Sequence, residues 1–235
     1  MKILLVSATN LEIAPLLEFF TIPAEEFSDG MLHINRHQHE LTILVTGVGM
    51  VSTAYHLGKL FATSSFDLAL NAGIAGSYDP SIPIGEVVNV VQDTFAEMGA
   101  EKKDEFIPLS ELKIGGKATA ITFFSGKFLP DNIVDNPDFH GLRKVRGITA
   151  NTIHGNEPSI TKSKAGIKPS TETMEGAAFF HACHEAGIPC LQLRSISNYV
   201  EERDPSRWNI PLAVSRLNQT LISLITQKSK VKSQK

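Results

Sequence analysis

A three-layer α/β fold is what this sequence predicts, and three observations predict it. Apolar runs such as KILLVSA (2–8), LALNAGIAGS (68–77) and PCLQLRSI (189–196) have the character of buried strands. Segments with helical spacing lie between them, as in the leucines at 212, 217, 221 and 224. The alternation of the two runs through the whole chain, the pattern of helices packed on both faces of a sheet. With 235 residues, no internal repeat and no linker, residues 1–235 read as one domain. A chain of this length buries roughly 70% of its unfolded surface and needs no staples.

Composition narrows the function. Hydrophobic residues make up 42% of the chain and its formal charge is −3, which argues against a disordered protein and against a broadly basic nucleic-acid surface. No apolar run approaches the length of a membrane span, and MKILLVSA is too short for a signal peptide. The cytoplasm is the expected compartment. Cys183 and Cys190 fall in a predicted helix and a predicted strand, and read as buried thiols of a reducing environment.

In chain order, the first strand (2–8) leads to Thr9, a candidate N-cap, with Glu12 three residues on, the spacing of a capping box. Glu12 therefore has a local reading, capping its own helix, and a functional one, a carboxylate at the end of the first strand. Residues 31–37 and 41–46 read as two strands with a polar turn between. His33, His37 and His39 there are expected at the surface, since no Cys or Asp completes a metal set. TGVGM (46–50) bridges a strand to a helix from Val51 to about Phe61, but lacks the third glycine of a dinucleotide fingerprint. Gly73 and Gly76 are expected to end the next strand with room for a ligand. Ile84–Val91 resumes strand character; 96–115 reads as a loop with a short element inside. Ala118–Phe124 reads as a strand, and the prolines at 130 and 137 keep any helix in 125–144 short. A strand from Val145 runs into a polar loop holding His154. Residues 159–170, with Lys162, Lys164 and Lys168, read as a solvated basic loop, and a terminal helix covers about 211–227.

The stretch from Glu172 to Asn198 organises the rest. Residues 175–186 suit a helix, Gly187 is a plausible stop and Pro189 forbids continuation. The strand that follows ends at Ser197 and Asn198, where open α/β sheets place ligands. On spacing alone Met174 is a core residue and Glu175 a helix N-terminal carboxylate. Beyond Asn198, Tyr199 and Trp208 bracket a charged loop suited to cover a site, or simply to face solvent.

Five segments in order resemble the nucleoside phosphorylase and nucleosidase superfamily: SATNLE (7–12), VTGVGM (45–50), NAGIAGS (71–77), ETMEGAA (172–178) and RSISN (194–198). The resemblance covers nearly the whole chain. It implies a nucleoside phosphorylase-like αβα sandwich with a central mixed sheet. It also implies cleavage of an N-glycosidic bond with Glu12 activating water, Glu175 gripping the ribosyl hydroxyls, and Met174 packing on the sugar. By the same resemblance Gly73 and Ile74 are expected to line the ligand site, and His154 falls where the family has an aromatic residue over the base. Purine nucleosides are the implied ligands, a homodimer or higher homo-oligomer the implied assembly, and no cofactor or metal is implied.

Within the superfamily the sequence resembles the futalosine hydrolases. Adenine-releasing members carry an aspartate where this chain has Asn198. An amide supplies no ionisable proton, but offers one acceptor and a two-proton donor, which suit the N7–H and the 6-oxo group of hypoxanthine. The glycine loops carry no arginine for phosphate, which favours water as nucleophile, with Arg194 and Arg36 left as possible anion ligands. A methylthioadenosine/adenosylhomocysteine nucleosidase, a phosphorylase and a non-catalytic purine-binding module remain alternatives at this level; Glu12 speaks against the last, since binding alone needs no water-activating carboxylate.

Overall fold

A computed structural model describes residues 1–22, 30–36, 39–103, 105–112, 122–124, 137–164 and 168–226. Its centre is a mixed sheet of nine strands. In chain order they are β1 (Lys2–Ser7), β2 (Met31–Arg36), β3 (His39–Val45), β4 (Leu68–Ser77), β5 (Val87–Phe95), β8 (Thr122–Phe124), β9 (Arg143–Thr149), β10 (Thr171–Thr173) and β11 (Cys190–Tyr199). The strands β6 (Gly99–Lys102) and β7 (Glu105–Pro108) form a separate antiparallel ribbon. The sheet order is β10-β9-β5-β11-β4-β1-β3-β2, with β8 on β5. Since β10 also pairs with β4, strands β4, β11, β5, β9 and β10 close on themselves as a partial barrel. The expected αβα sandwich with a mixed central sheet is therefore present, with one half of the sheet curled shut.

The helices are α1 (Asn10–Phe19), α2 (Met50–Phe61), α3 (Pro137–His140), α4 (Glu157–Lys164), α5 (Gly176–Glu185) and α6 (Ile210–Thr226). Strand periodicity explains their sorting into layers. From β1, Ile3 and Leu5 face a core made with Ile13 and Leu16 of α1 and Leu217 and Leu221 of α6. The alternate residues Leu4 and Val6 face a second core, with Leu57 of α2 and Phe179 and Phe180 of α5. A third cluster, including Val88, Val90, Val145 and Ile196, fills the closed half. None of the described helices is long and apolar enough to cross a membrane.

Several expectations shift. The segment at 159–170 is not a loop throughout: α4 spans Glu157–Lys164. A signal for it was present, because Asn156 Oδ1 accepts from the Ser159 N–H at 3.1 Å as an N-cap does, and Glu157 and Pro158 suit a first turn. His39 is buried in β3, not at the surface. The strand expected from Ile84 begins at Val87, after a turn in which Gly85 has a positive φ. Gly73 and Gly76 lie within β4 and do not end it. The loop expected at 96–115 holds β6, β7 and a 3-10 turn at Leu109–Glu111. His37, residues 118–121, Pro130 and the basic tail from 227 lie outside the described residues.

Candidate active site

Strands β1 and β11 flank β4 and run parallel to it, so the carboxyl ends of all three open on the same edge of the sheet. A cavity of about 270 Å³ lies there. Strand β10 runs antiparallel to β4, pairing Glu172 with Gly76. Its continuation carries Met174 and Glu175 back along β4 towards Ile74. Glu12, Ile74, His154, Met174, Glu175 and Asn198, drawn from five places in the sequence, all line the one cavity.

Glu12 fills both of its expected readings. Its Oε2 accepts from the Thr9 N–H and the Thr9 hydroxyl, each at 3.0 Å, and from the Ser7 hydroxyl at 3.1 Å. Its Oε1 accepts from the Ile74 N–H at 3.0 Å. The capping bonds thus fix one oxygen and leave the other at the cavity edge of β4. The side chain is buried to 6% exposure.

Gly73 itself is not in the cavity wall. A Cβ there would lie 2.1 Å from Nη1 of Arg194 and 2.6 Å from Oε1 of Glu12. Only a residue without a side chain leaves room for both groups beside this position. Arg194 is 1% exposed, and its Nε and Nη2 donate to Oε1 of Gln192 at 3.1 and 3.0 Å. It is absent from the cavity wall, and its charge favours the ionised forms of Glu175 and Asp93. Arg36 lies on β2, the edge strand at the far end of the sheet order.

Glu175 occupies the N-cap of α5, and its Oε1 accepts from the Gly49 N–H at 2.9 Å. Gly49 has φ near +100°, a conformation that favours glycine, which explains its place in the TGVGM turn. Burial raises the Glu175 carboxyl above the ordinary value, opposed by the charge of Arg194 and the Gly49 bond and reinforced by the nearby Glu12. Beneath the start of α5 lies a buried polar relay. The Ala177 N–H donates to the Thr149 hydroxyl at 2.7 Å; that hydroxyl donates to Asp93 at 2.9 Å, and Gln192 donates to the other Asp93 oxygen at 2.9 Å. Burial pushes Asp93 up to about 6 despite these bonds.

On β11 the pairing with β4 slips between Ile196 and Asn198. Such an irregularity lets consecutive side chains reach one face, and Ser197 and Asn198 both line the cavity. Asn198 Nδ2 donates to the Tyr199 carbonyl at 3.0 Å, and its Oδ1 accepts from the Ser197 hydroxyl at 2.8 Å. The carbonyl can only accept, so it fixes which end of the amide is nitrogen. One N–H and one lone pair are left over.

Sequence reasoning noticed Glu172 but gave it no role. It is 6% exposed, lines the cavity, and binds His154 twice, through the His154 N–H at 3.0 Å and through Nδ1 of the ring. The Tyr78 hydroxyl donates to the same carboxylate at 2.5 Å. Burial and that bond hold the Tyr78 phenol well above its ordinary pKa, so it remains a donor. The charged loop after Asn198 also reaches the cavity, where Arg203 lies 4.9 Å over the ring of Trp208. Among the described residues no set of three His, Cys, Asp or Glu side chains is arranged to hold a metal ion.

Comparison with known proteins places the chain in a family and a fold. A family model described as the phosphorylase superfamily matches residues 2–120 and 170–226. A futalosine hydrolase of Streptomyces coelicolor is 27% identical over 94% of this chain and 94% of its own length. One of Acidothermus cellulolyticus is 31% identical over 80% of this chain and 77% of its own. The solved structure of a futalosine hydrolase of Helicobacter pylori superposes with a TM-score of 0.76 at 19% identity, covering 96% of this chain and 97% of that one.

Proposed function

The chain belongs to the phosphorylase superfamily and is a nucleosidase-type hydrolase; within that activity we propose that it cleaves a 6-oxopurine nucleoside, with futalosine as substrate and hypoxanthine as the released base. Asn198 carries this reading. Its spare lone pair accepts from N7–H and its spare N–H donates to O6. Against adenine, the same N–H meets a second donor, and each unsatisfied buried polar atom costs roughly 1–3 kcal/mol. The similarity to the two futalosine hydrolases supports the same substrate.

The roles follow from position. Glu12 takes a proton from water as the oxygen attacks C1′. Glu175, beside the TGVGM turn, accepts from the ribosyl hydroxyls, and its charge favours the cationic sugar of the transition state. Met174 packs on the sugar, and Ile74 and His154 bound the base. Arg194 is withdrawn beneath Gly73, which supports water over phosphate as nucleophile. The functional unit is proposed to be a homo-oligomer.

The test offers futalosine, inosine, adenosine and methylthioadenosine, each with and without phosphate, and identifies the released base by chromatography. Hypoxanthine from futalosine, without phosphate, is expected. Comparable turnover of methylthioadenosine would overturn the 6-oxopurine reading, and a strict phosphate requirement would make the enzyme a phosphorylase. N198D is expected to lose hypoxanthine release, because its carboxylate repels O6.

A further inference from the structure

Asn198 creates a chemical deficit. The departing purine gathers negative charge as its bond to C1′ breaks, and an amide cannot protonate it. We propose that His154, oriented by Glu172, is the acid that protonates the leaving purine; the inference rests on the nucleosidase reading.

The geometry is that of a carboxylate–imidazole pair. Glu172 receives Nδ1 of His154 on one oxygen and the His154 backbone N–H on the other, so ring and backbone are both fixed. The side chains are only 9% and 5% exposed. Nε2 has no hydrogen-bond partner among the described residues, and His154 lines the cavity. The ring's free nitrogen therefore has the cavity as its outlet. With Nδ1 engaged by a carboxylate, Nε2 is the nitrogen left to exchange a proton with a ligand. Tyr78 shares the Glu172 carboxylate as a neutral donor. From the other walls, Glu12, Glu175 and Glu201 add negative charge and Arg203 adds positive. Arg203 comes from the loop whose N–H bonds the Gly155 carbonyl.

The step balances. Water oxygen bonds to C1′, the C1′–N9 bond breaks, and its electron pair leaves on the purine. Nε2–H passes its proton to N7 of the purine, forming the N7–H that is then shared with the Asn198 amide oxygen, while Glu12 takes the proton from water. Solvent then returns a proton from Glu12 to His154, leaving neutral purine and free sugar.

The experiment compares two leaving groups in wild type and H154Q. One substrate is the purine nucleoside cleaved fastest in the panel above; the other is 4-nitrophenyl β-ribofuranoside, whose phenolate leaves without protonation. H154Q is expected to slow the purine substrate about 100-fold and the nitrophenyl riboside by less than about threefold, since acid catalysis is worth this much only to a poor leaving group. E172Q, which loses the carboxylate that holds the ring, is expected to slow the purine substrate about 10-fold and the nitrophenyl riboside by less than about threefold. Equal losses of H154Q on both substrates, or of E172Q on both, overturn the role of His154 while leaving the nucleosidase reading intact. If H154Q does not fold, the E172Q comparison decides alone. A wild-type protein that cleaves neither substrate overturns both.

Discussion

Glu12→Gln tests whether the residue that starts α1 also activates water. The structure sets the cost. One oxygen of Glu12 serves three donors, from Ser7 and Thr9, and the other serves the Ile74 N–H. An amide has a single acceptor atom. The cheaper orientation keeps that oxygen on the Ser7–Thr9 side, so the cap survives and the new NH₂ faces the Ile74 N–H. One bond is lost and two donors, the Ile74 N–H and the new NH₂, face each other without an acceptor, about 1–3 kcal/mol for each that water cannot reach. For a chain of this size that lowers Tm by roughly 2–4 °C per kcal/mol. Turnover should fall much further, about 100-fold or more, because the amide cannot take a proton from water. Thermal unfolding gives the first quantity, purine release under saturating substrate the second, and equilibrium binding of the nucleoside completes the set. The expected pattern is a folded, nucleoside-binding, nearly inactive enzyme. Near wild-type turnover in E12Q would refute the assignment of Glu12 as base, and loss of folding alone would reduce it to a cap.

Glu175→Ala should abolish most of the discrimination between a ribonucleoside and its 2′-deoxy form, as well as slowing both; equal proportional losses on the two sugars would remove Glu175 from the sugar site. Because burial raises the Glu175 carboxyl, and only its ionised form accepts from the hydroxyls, wild-type kcat/KM should fall as pH drops through that raised value, an acid limb that E175Q lacks. Asp93 makes a prediction about stability. Its folded value of about 6 lies above the ordinary 3.8, so its favourable contribution is full below 3.8 and is lost as pH rises through 6. At about 1.4 kcal/mol per pH unit, the interval corresponds to about 3 kcal/mol. In denaturant titrations, D93N should therefore gain on wild type by about that much between pH 4 and pH 7; a difference that stays constant across this range would contradict the assignment.

Local chemistry determined a good deal. The alternation of Ile3 and Leu5 with Leu4 and Val6 specified a strand covered on both faces, as the two cores show. Thr9 and Glu12 specified the start of α1, and Gly187, at φ near +65°, the stop after α5. Those signals depend on neighbours within four residues, so the sequence alone carries them. The short motifs also picked out Glu12, Met174, Glu175 and Asn198, which do meet in one cavity. What they touch was decided elsewhere. Only the pairing of β10 with β4 brings Glu172 beside Gly76. Only the bare Cα of Gly73 leaves room beside it for both Arg194 and Glu12. Only the loop after β9 delivers His154 to Glu172, 18 residues on. Each of these contacts joins segments with no local propensity for one another, and each places polar groups out of water, where they persist because the surrounding fold satisfies them.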